Sequence, residues 1–205
     1  WPYGYNAFHC DVTEVLNTDG KNNLLAVRLE NKPESSRWYP GAGLYRNVHV
    51  IQTNKIHVPV WGTYITTPFV SEEYASVRLR TEIAGDHKDI RIITEIRDAD
   101  NKVVAFKDNR QQLNHGRPFE QNFIVEDPRL WSPETPYLYT AISSIFVDST
   151  QTDEYTTRFG IRDIKFVADK GFFLNGQQRK FQGVCNHHDL GPLGAAINEA
   201  ALRRQ

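Results

Sequence analysis

Short runs of alternating apolar and polar residues, separated by turn residues, dominate this 205-residue chain. Alternation with a period of two puts apolar side chains on one face of a strand and polar ones on the other. The runs predict strands at 22–30, 44–51, 74–83, 89–96, 103–106, 119–125 and 137–147. The chain is therefore predicted to be mainly β.

Composition excludes several classes of partner. The chain has 24 Lys+Arg against 25 Asp+Glu, a net charge of -1. This balance gives no electrostatic reason to expect nucleic acid or an anionic membrane as a partner. No apolar run approaches the roughly 18 residues of a membrane span. Two cysteines, Cys10 and Cys185, are too few for a disulfide scaffold and lack metal-finger spacing.

Charge divides the chain into three segments. Residues 1–53 hold five bases and five acids, 54–160 hold 12 and 16, and 161–205 hold seven and four. The acidic middle, with roughly seven strand signals, has the size and spacing of an immunoglobulin-like sandwich. The first segment has too few strands to bury both faces of a sheet. We expect it to complete a sandwich begun earlier, in a longer protein.

The last segment changes character. Asn175 and Gly176 lie between apolar runs and predict a two-residue hairpin over 171–181. A short apolar strand at 181–185 and a polar cluster follow, and Asn198 is a predicted helix cap for 199–204. A strand, a polar loop and a helix make one βα unit, which cannot stand alone. A larger α/β body is therefore expected to begin here.

The polar cluster, Asn186 to Asp189, is the first candidate site. If 181–185 is a buried strand, the cluster lies at its carboxyl end, where active sites gather in parallel α/β folds. Neighbouring side chains of an extended segment point to opposite faces, so His187 and Asp189 share one side and His188 takes the other. Adjacent histidines are thus poor joint ligands, and no metal site is predicted. The cluster either hydrogen-bonds a polyol substrate or is a solvated loop whose histidines satisfy backbone carbonyls.

Arg37, flanked by Trp38 and Tyr39, is the second candidate. Aromatic faces stack on the apolar faces of sugars, and a guanidinium fork holds hydroxyls. The alternative is that the two aromatics pack an interface and Arg37 pairs with a carboxylate.

Three other features are given structural roles. Residues 128–139, rich in proline and aromatics, are predicted to link two sandwich strands and to have no catalytic role. Cys185 ends an apolar run and is expected to be buried and inert. Glu199 follows Asn198 at a helix start, so a role in helix capping is favoured over acid–base chemistry.

Four motifs together give a resemblance. They are RWYPGAGLYRNV at 37–48, LWSPETPYLY at 130–139, RFGIR at 158–162, and GVCNHHD at 183–189 after the Asn-Gly hairpin. In this order they resemble glycoside hydrolase family 2, the family of β-galactosidases, β-glucuronidases and β-mannosidases. The WYPGAG form is more similar to β-galactosidases, although the glycone is left open.

The resemblance implies an architecture. Residues 1–53 would be the end of a jelly-roll sugar-binding domain, 54–160 an immunoglobulin-like sandwich, and 161–205 the start of a (β/α)8 barrel. It also implies a retaining mechanism, in which one carboxylic acid protonates the leaving oxygen and a second carboxylate forms a glycosyl-enzyme. The family supplies both as glutamates from later barrel strands, so no catalytic residue is assigned here.

Some binding residues carry over from the resemblance. His187 matches the histidine after the first barrel strand, which contacts the glycone sugar in this family. Asp189 and His188 match less firmly, and Arg37 lies where the first domain sends a polar residue towards the active-site mouth. The implied substrate is a β-galactoside. No cofactor is assigned, because in members that use Mg²⁺ its ligands lie further along the barrel.

Two functions follow as expectations. The first is a segment of a β-galactosidase that is inactive alone. The second is a non-catalytic carbohydrate-binding or adhesive module, which would require Trp38 and Tyr39 to be exposed. The sequence leaves a homo-oligomer and the compartment, cytoplasmic or periplasmic, open.

Overall fold

A computed structural model describes residues 6–30, 32–34, 43–44, 47–85, 89–112, 117–185, 190 and 198–204, without the side chains of 111 and 112. The chain divides into two units. The larger is Ile51–Gln182, and the smaller combines Trp1–Val50 with Gly183–Gln205. The domain boundaries drawn from the sequence stay predictions.

Seven antiparallel strands form two sheets in the larger unit. They are β1 (Thr63–Val70), β2 (Tyr74–Thr81), β3 (Asp89–Arg97), β4 (Val103–Gln112), β5 (Phe119–Glu126), β6 (Tyr139–Val147) and β7 (Thr150–Phe159). One sheet has the order β1-β2-β5 and the other β4-β3-β6-β7. Three strands facing four is the arrangement typical of an immunoglobulin-like sandwich. Since most of the regular elements are strands, the prediction of a mainly β chain is confirmed.

Alternation in the sequence becomes burial in the sandwich. Every second residue of β2, β3 and β5 is buried, as is every second residue of β6 up to Ile145. The buried side chains form two apolar clusters, one around Leu79 and Ile96 and the other around Ile92 and Ile145. Because each cluster takes residues from both sheets, the sheets pack face to face over a shared core.

A polar layer lies between the two apolar clusters. On β3, β5 and β6 respectively, Thr94, Gln121 and Ser143 are buried. The Thr94 hydroxyl donates to Gln121 Oε1 at 2.7 Å and lies 3.0 Å from Ser143 Oγ. Gln121 Nε2 donates to Asn109 Oδ1 at 3.0 Å, so these buried groups have partners and their desolvation is offset.

A third, smaller sheet follows the sandwich in the same unit. It consists of β8 (Ile164–Val167), β9 (Gly171–Leu174) and β10 (Gln177–Arg179), in the order β10-β9-β8. Asn175 and Gly176 join β9 to β10 with φ of 50° and 77°, the left-handed pair that a type I′ hairpin requires. The predicted hairpin is confirmed.

The described part of the smaller unit has little regular structure. It contains a 3₁₀ turn at Thr13–Val15 and one helical turn, α1 (Glu199–Leu202). Asn198 Oδ1 accepts from the Ala201 N–H at 3.0 Å, as its predicted role as helix cap requires. The jelly-roll end and the start of the barrel stay predictions.

Two strand predictions near the amino terminus are wrong for the described residues. Residues 22–30 and the described part of 44–51 form no strand, and Leu24 and Val50 are 95% and 94% exposed. An alternating segment becomes a strand only when a neighbour takes its backbone hydrogen bonds and covers its apolar face. No described strand pairs with these segments, and their apolar side chains are exposed.

The prediction of a strand at 181–185 is also wrong. These residues form no strand, and Val184 is 82% exposed. Cys185, expected to be buried and inert, is exposed with a free thiol. The physical reason is the same: a short apolar run is buried only when a neighbouring strand covers it, and none of the described residues pairs with this one.

Candidate functional site

The candidate substrate residues from the sequence fall outside the described structure. These residues are His187, His188, Asp189 and Arg37, and their roles stay predictions. Within the described residues, no group of three or more His, Cys, Asp or Glu side chains could hold a metal ion. No described helix is long and apolar enough to cross a membrane.

The described residues instead contain a junction between the sandwich and the small sheet, built on Trp131, Gly160, Arg162 and Asn175. The Trp131 N–H donates to the Ile161 carbonyl at 2.8 Å. The Arg162 guanidinium lies 5.2 Å from the centre of the Trp131 ring, within the range of a cation–π contact. These contacts hold the indole against the end of β7.

Asn175 connects the hairpin to this junction. Its Oδ1 accepts from the Asp163 N–H, and its Nδ2 donates to the Trp131 carbonyl, both at 3.0 Å. The Asn175 N–H also donates to the Asp163 carbonyl at 2.9 Å. Both ends of the amide are thus used, which fixes the hairpin on the sandwich. The sequence predicts Asn175 only as a turn residue, because nothing in its pattern reports a contact 44 residues away.

Gly160 lets the junction close. A Cβ at this position would lie 2.8 Å from Trp131 Cβ and 2.9 Å from Trp131 Cγ, closer than real Cβ contacts allow. The indole therefore packs directly on the backbone after β7. Two of the four motifs, at 130–139 and 158–162, and the Asn175–Gly176 hairpin meet at this one place.

An ion pair adds a second connection. Arg179 on β10 donates through Nη1 and Nη2 to the two oxygens of Glu134, at 2.5 and 3.0 Å. The two-pronged geometry matches the planar guanidinium to the carboxylate. The hydrogen bond from Arg179, followed by bonds from the backbone and Ser132, lowers the pKa of Glu134 from 4.5 to about 2.

This shift predicts a pH dependence. Because the folded pKa of Glu134 lies below the unfolded one, the pair's contribution is complete well above pH 4.5 and is lost as the pH falls towards 2. We expect Glu134→Gln to lower the Tm at pH 7 and to have a progressively smaller effect as the pH falls below 4.5. Thermal unfolding of both proteins between pH 7 and 2.5 measures this difference, and a gap that stays constant over this range would contradict it.

The segment between β5 and β6 is fixed by tyrosines. Tyr139 Oη accepts from the Arg129 N–H at 2.8 Å, and Tyr137 Oη accepts from the Ala99 N–H at 3.1 Å. Burial raises the pKa of the Tyr139 phenol above its ordinary value. A tyrosine at this corner, bonded back to the upstream backbone, is a hallmark of immunoglobulin-like sandwiches. The segment links two sandwich strands, as predicted.

Comparison with known proteins decides the family. Residues 56–162, just over half of the chain, match the family described as Glycosyl hydrolases family 2. The chain belongs to this family. The matched residues include the whole sandwich of this family 2 glycosyl hydrolase segment and both partners of the Trp131–Gly160 contact.

Individual relatives agree with the family. A Bacteroides ovatus protein named Beta-galactosidase BoGH2A is 42% identical over 99% of this chain and 24% of its own length. A putative beta-glucuronidase of Formosa agariphila is 37% identical over 98% of this chain and 19% of its own. The chain thus spans about a quarter or less of these relatives.

Solved structures give the same result. A beta-glycosidase from Bacteroides vulgatus superposes with a TM-score of 0.71 and 30% identity, over 82% of this chain and 21% of that one. A Bacteroides uniformis beta-glucuronidase has a TM-score of 0.64 and 30% identity, over 74% and 20%. Some of these relatives are thus named as beta-galactosidases and others as beta-glucuronidases.

Proposed function

We propose that this chain is part of a retaining β-glycosidase that hydrolyses terminal β-galactosides. The observation that carries the proposal is family membership together with 42% identity to a protein named as a β-galactosidase. Relatives named as β-glucuronidases are less similar, at 37% and 31% identity. The galactoside is therefore the preferred substrate of the proposal, and a glucuronide is its rival.

The proposed reaction needs two carboxyl groups about 5–5.5 Å apart, one to protonate the leaving oxygen and one to attack the anomeric carbon. We assign both to glutamates outside these 205 residues. His187 would hydrogen-bond a hydroxyl of the glycone. Asp189 and His188 would support it, and Arg37 would bind at the mouth of the site. The chain supplies substrate binding in this scheme, with no cofactor.

The junction supports a positioning role for the sandwich. The bonds of Asn175 and the Arg179–Glu134 pair anchor β9 and β10. These strands precede residues 186–189 by a few residues along the chain. Rigid anchoring of neighbouring elements is what a substrate-binding group requires, since a small displacement weakens transition-state contacts.

The test measures hydrolysis of nitrophenyl β-galactoside and nitrophenyl β-glucuronide by the product of the complete coding sequence that contains this chain. We expect a higher kcat/KM for the galactoside. His187→Ala should lower this value about 10- to 100-fold, as expected for the loss of a hydrogen bond of about 1.5–3 kcal/mol. His49→Ala, an exposed histidine of the smaller unit, is the matched control and should have no effect.

Other outcomes would contradict parts of the proposal. Preference for the glucuronide would overturn the substrate, and an unchanged kcat/KM in His187→Ala would overturn the role of that residue. The 205-residue chain alone should hydrolyse neither compound. Turnover by the purified chain would show that the assignment of the catalytic pair elsewhere is wrong.

A further inference from the structure

The turn that joins β9 to β10 carries a reactive pair of residues. Asn175–Gly176 is the only place in the 205 residues where glycine follows asparagine. Glycine has no side chain to shield its backbone nitrogen, so this nitrogen can attack the amide carbon of the asparagine. Gly176 is exposed, and a Cβ at this position would meet nothing within 4 Å. The pair is therefore a candidate for deamidation, the spontaneous loss of ammonia from an asparagine side chain.

The closed junction does not give the geometry that this reaction needs. To close a ring, the Gly176 nitrogen must lie on the same side of the Asn175 Cα–C bond as Cβ. The first central residue of a type I′ turn has a ψ of about 30°, which puts that nitrogen on nearly the opposite side. The amide is also held in place, because Oδ1 accepts from the Asp163 N–H and Nδ2 donates to the Trp131 carbonyl, both at 3.0 Å. Asn175 can thus react only after these bonds break and the turn rotates.

We propose that Asn175 is a deamidation site that reacts only while the junction is open, and that its modification prevents the junction from closing again. The Gly176 nitrogen gives its proton to solvent and forms a bond to Asn175 Cγ, while the Cγ–Nδ2 bond breaks and ammonia leaves. Water then adds to one of the two carbonyl carbons of the resulting succinimide and breaks the bond from that carbon to the ring nitrogen. The product is aspartate or isoaspartate, and water is the only co-reactant.

Either product removes a contact on which the junction depends. An ionised carboxylate has acceptors only, so the atom that replaces Nδ2 would face the Trp131 carbonyl oxygen with no hydrogen between them. Isoaspartate adds a methylene group to the backbone, and the two-residue turn has no room for it. Modified molecules therefore accumulate with the time that the junction spends open. The inference goes beyond the proposed hydrolysis and does not depend on it.

The first experiment incubates the 205-residue chain in mildly alkaline buffer and follows Asn175 by mass spectrometry of the peptide that contains it. We expect the chain unfolded in guanidinium chloride to deamidate there about tenfold faster than the folded chain, or more. Glu134→Gln removes the ion pair with Arg179 but leaves Asn175 untouched, so the folded variant should react about twofold faster than the parent, or more.

Asn101 is the matched control within the same molecule. Its φ of 65° is also left-handed, but lysine follows it, so it should deamidate far more slowly than Asn175 in the unfolded chain. Equal rates at the two positions would overturn the role of Gly176. Equal rates at Asn175 in the folded and unfolded chain, or an unchanged rate in Glu134→Gln, would overturn the dependence on junction opening.

Asn175→Asp tests the consequence of the modification directly. At pH 7 the amides of β9 and β10 should exchange about tenfold faster than in the parent, or more, while those of β3 and β6 keep their protection. Below the ordinary aspartate pKa of about 3.9, the introduced carboxyl carries a proton that it can donate to the Trp131 carbonyl, so the difference should shrink. Unchanged exchange of β9 and β10, or a difference that persists in acid, would overturn the release of the hairpin. Since no turnover is measured, both results are independent of the hydrolysis assay.

Discussion

Gly160→Ala is expected to destabilise the larger unit by about 1–3 kcal/mol, the usual cost of forcing a methyl group into a filled space. The added Cβ would overlap Trp131 Cβ and Cγ, at 2.8 and 2.9 Å. The indole cannot move aside freely, because Arg162 lies over its ring and the Trp131 backbone is bonded on both its N–H and its carbonyl. Hydrogen exchange of the core amides of β3 and β6 measures the loss directly.

The control for this substitution is Gly183→Ala. A Cβ at Gly183 meets nothing within 4 Å, so the same methyl is added to open space. It should leave the exchange rates of β3 and β6 unchanged. Equal protection in Gly160→Ala and the parent would contradict this prediction. It would mean that the contact between Gly160 and Trp131 is not tight and does not hold the junction together.

Gln121→Ala is the second substitution with a large expected effect, about 2–4 kcal/mol. It removes most of a buried side chain and takes a partner from both Thr94 and Asn109. Gln121→Leu keeps the volume and should cost less, about 1 kcal/mol, because Thr94 still has the Ser143 hydroxyl and Asn109 is exposed to water. Urea unfolding of the two variants separates the cavity from the lost hydrogen bonds.

Thr81→Val is the matched control for buried polarity. Thr81 is as buried as Ser143, yet its hydroxyl has no hydrogen-bond partner among the described residues. Replacing it with an apolar group of the same shape removes a desolvation cost and should leave the stability unchanged or raise it by about 1 kcal/mol. If Thr81→Val and Gln121→Ala destabilise equally, the hydrogen bonds of the polar layer contribute nothing.

The inner strands of the sandwich could be predicted from the sequence. β2, β3 and β6 each have two neighbours and one buried face, and their alternation located them within three residues at either end. The Asn-Gly hairpin was predictable for a different reason. Its turn needs two left-handed residues, and few residue pairs accept that conformation.

The missed strands, β1, β7 and β8, are edge strands. β7 has no fully buried residue, so its threonines and acids give no alternation to detect. β1 contains Pro68, which usually argues against a strand; here the pairing with β2 shifts between Thr66 and Phe69, and the proline lies within that irregularity. By contrast β5, also at an edge, has a fully buried face, and its alternation located it.

The candidate site was predictable only through family motifs. The motif residues Trp131, Gly160 and Asn175 came from separate parts of the sequence, and only the structure brings them into one junction. Exposure of Cys185 could not be predicted, because an apolar run looks the same whether a neighbour covers it or not. The left-handed backbone of Trp61, with a φ of 61°, could not be predicted either, because tryptophan rarely adopts it.

The polar layer of the core has a consequence for how the strands align. Sliding one strand by two residues keeps every apolar side chain on the inner face, so hydrophobicity alone cannot distinguish the slid pairing from the native one. Such a slide of β5 would place Gln121 among aliphatic side chains and leave the Thr94 hydroxyl opposite a phenylalanine. The hydrogen bonds among Thr94, Gln121 and Ser143 thus favour the native alignment of the strands over one shifted by two residues.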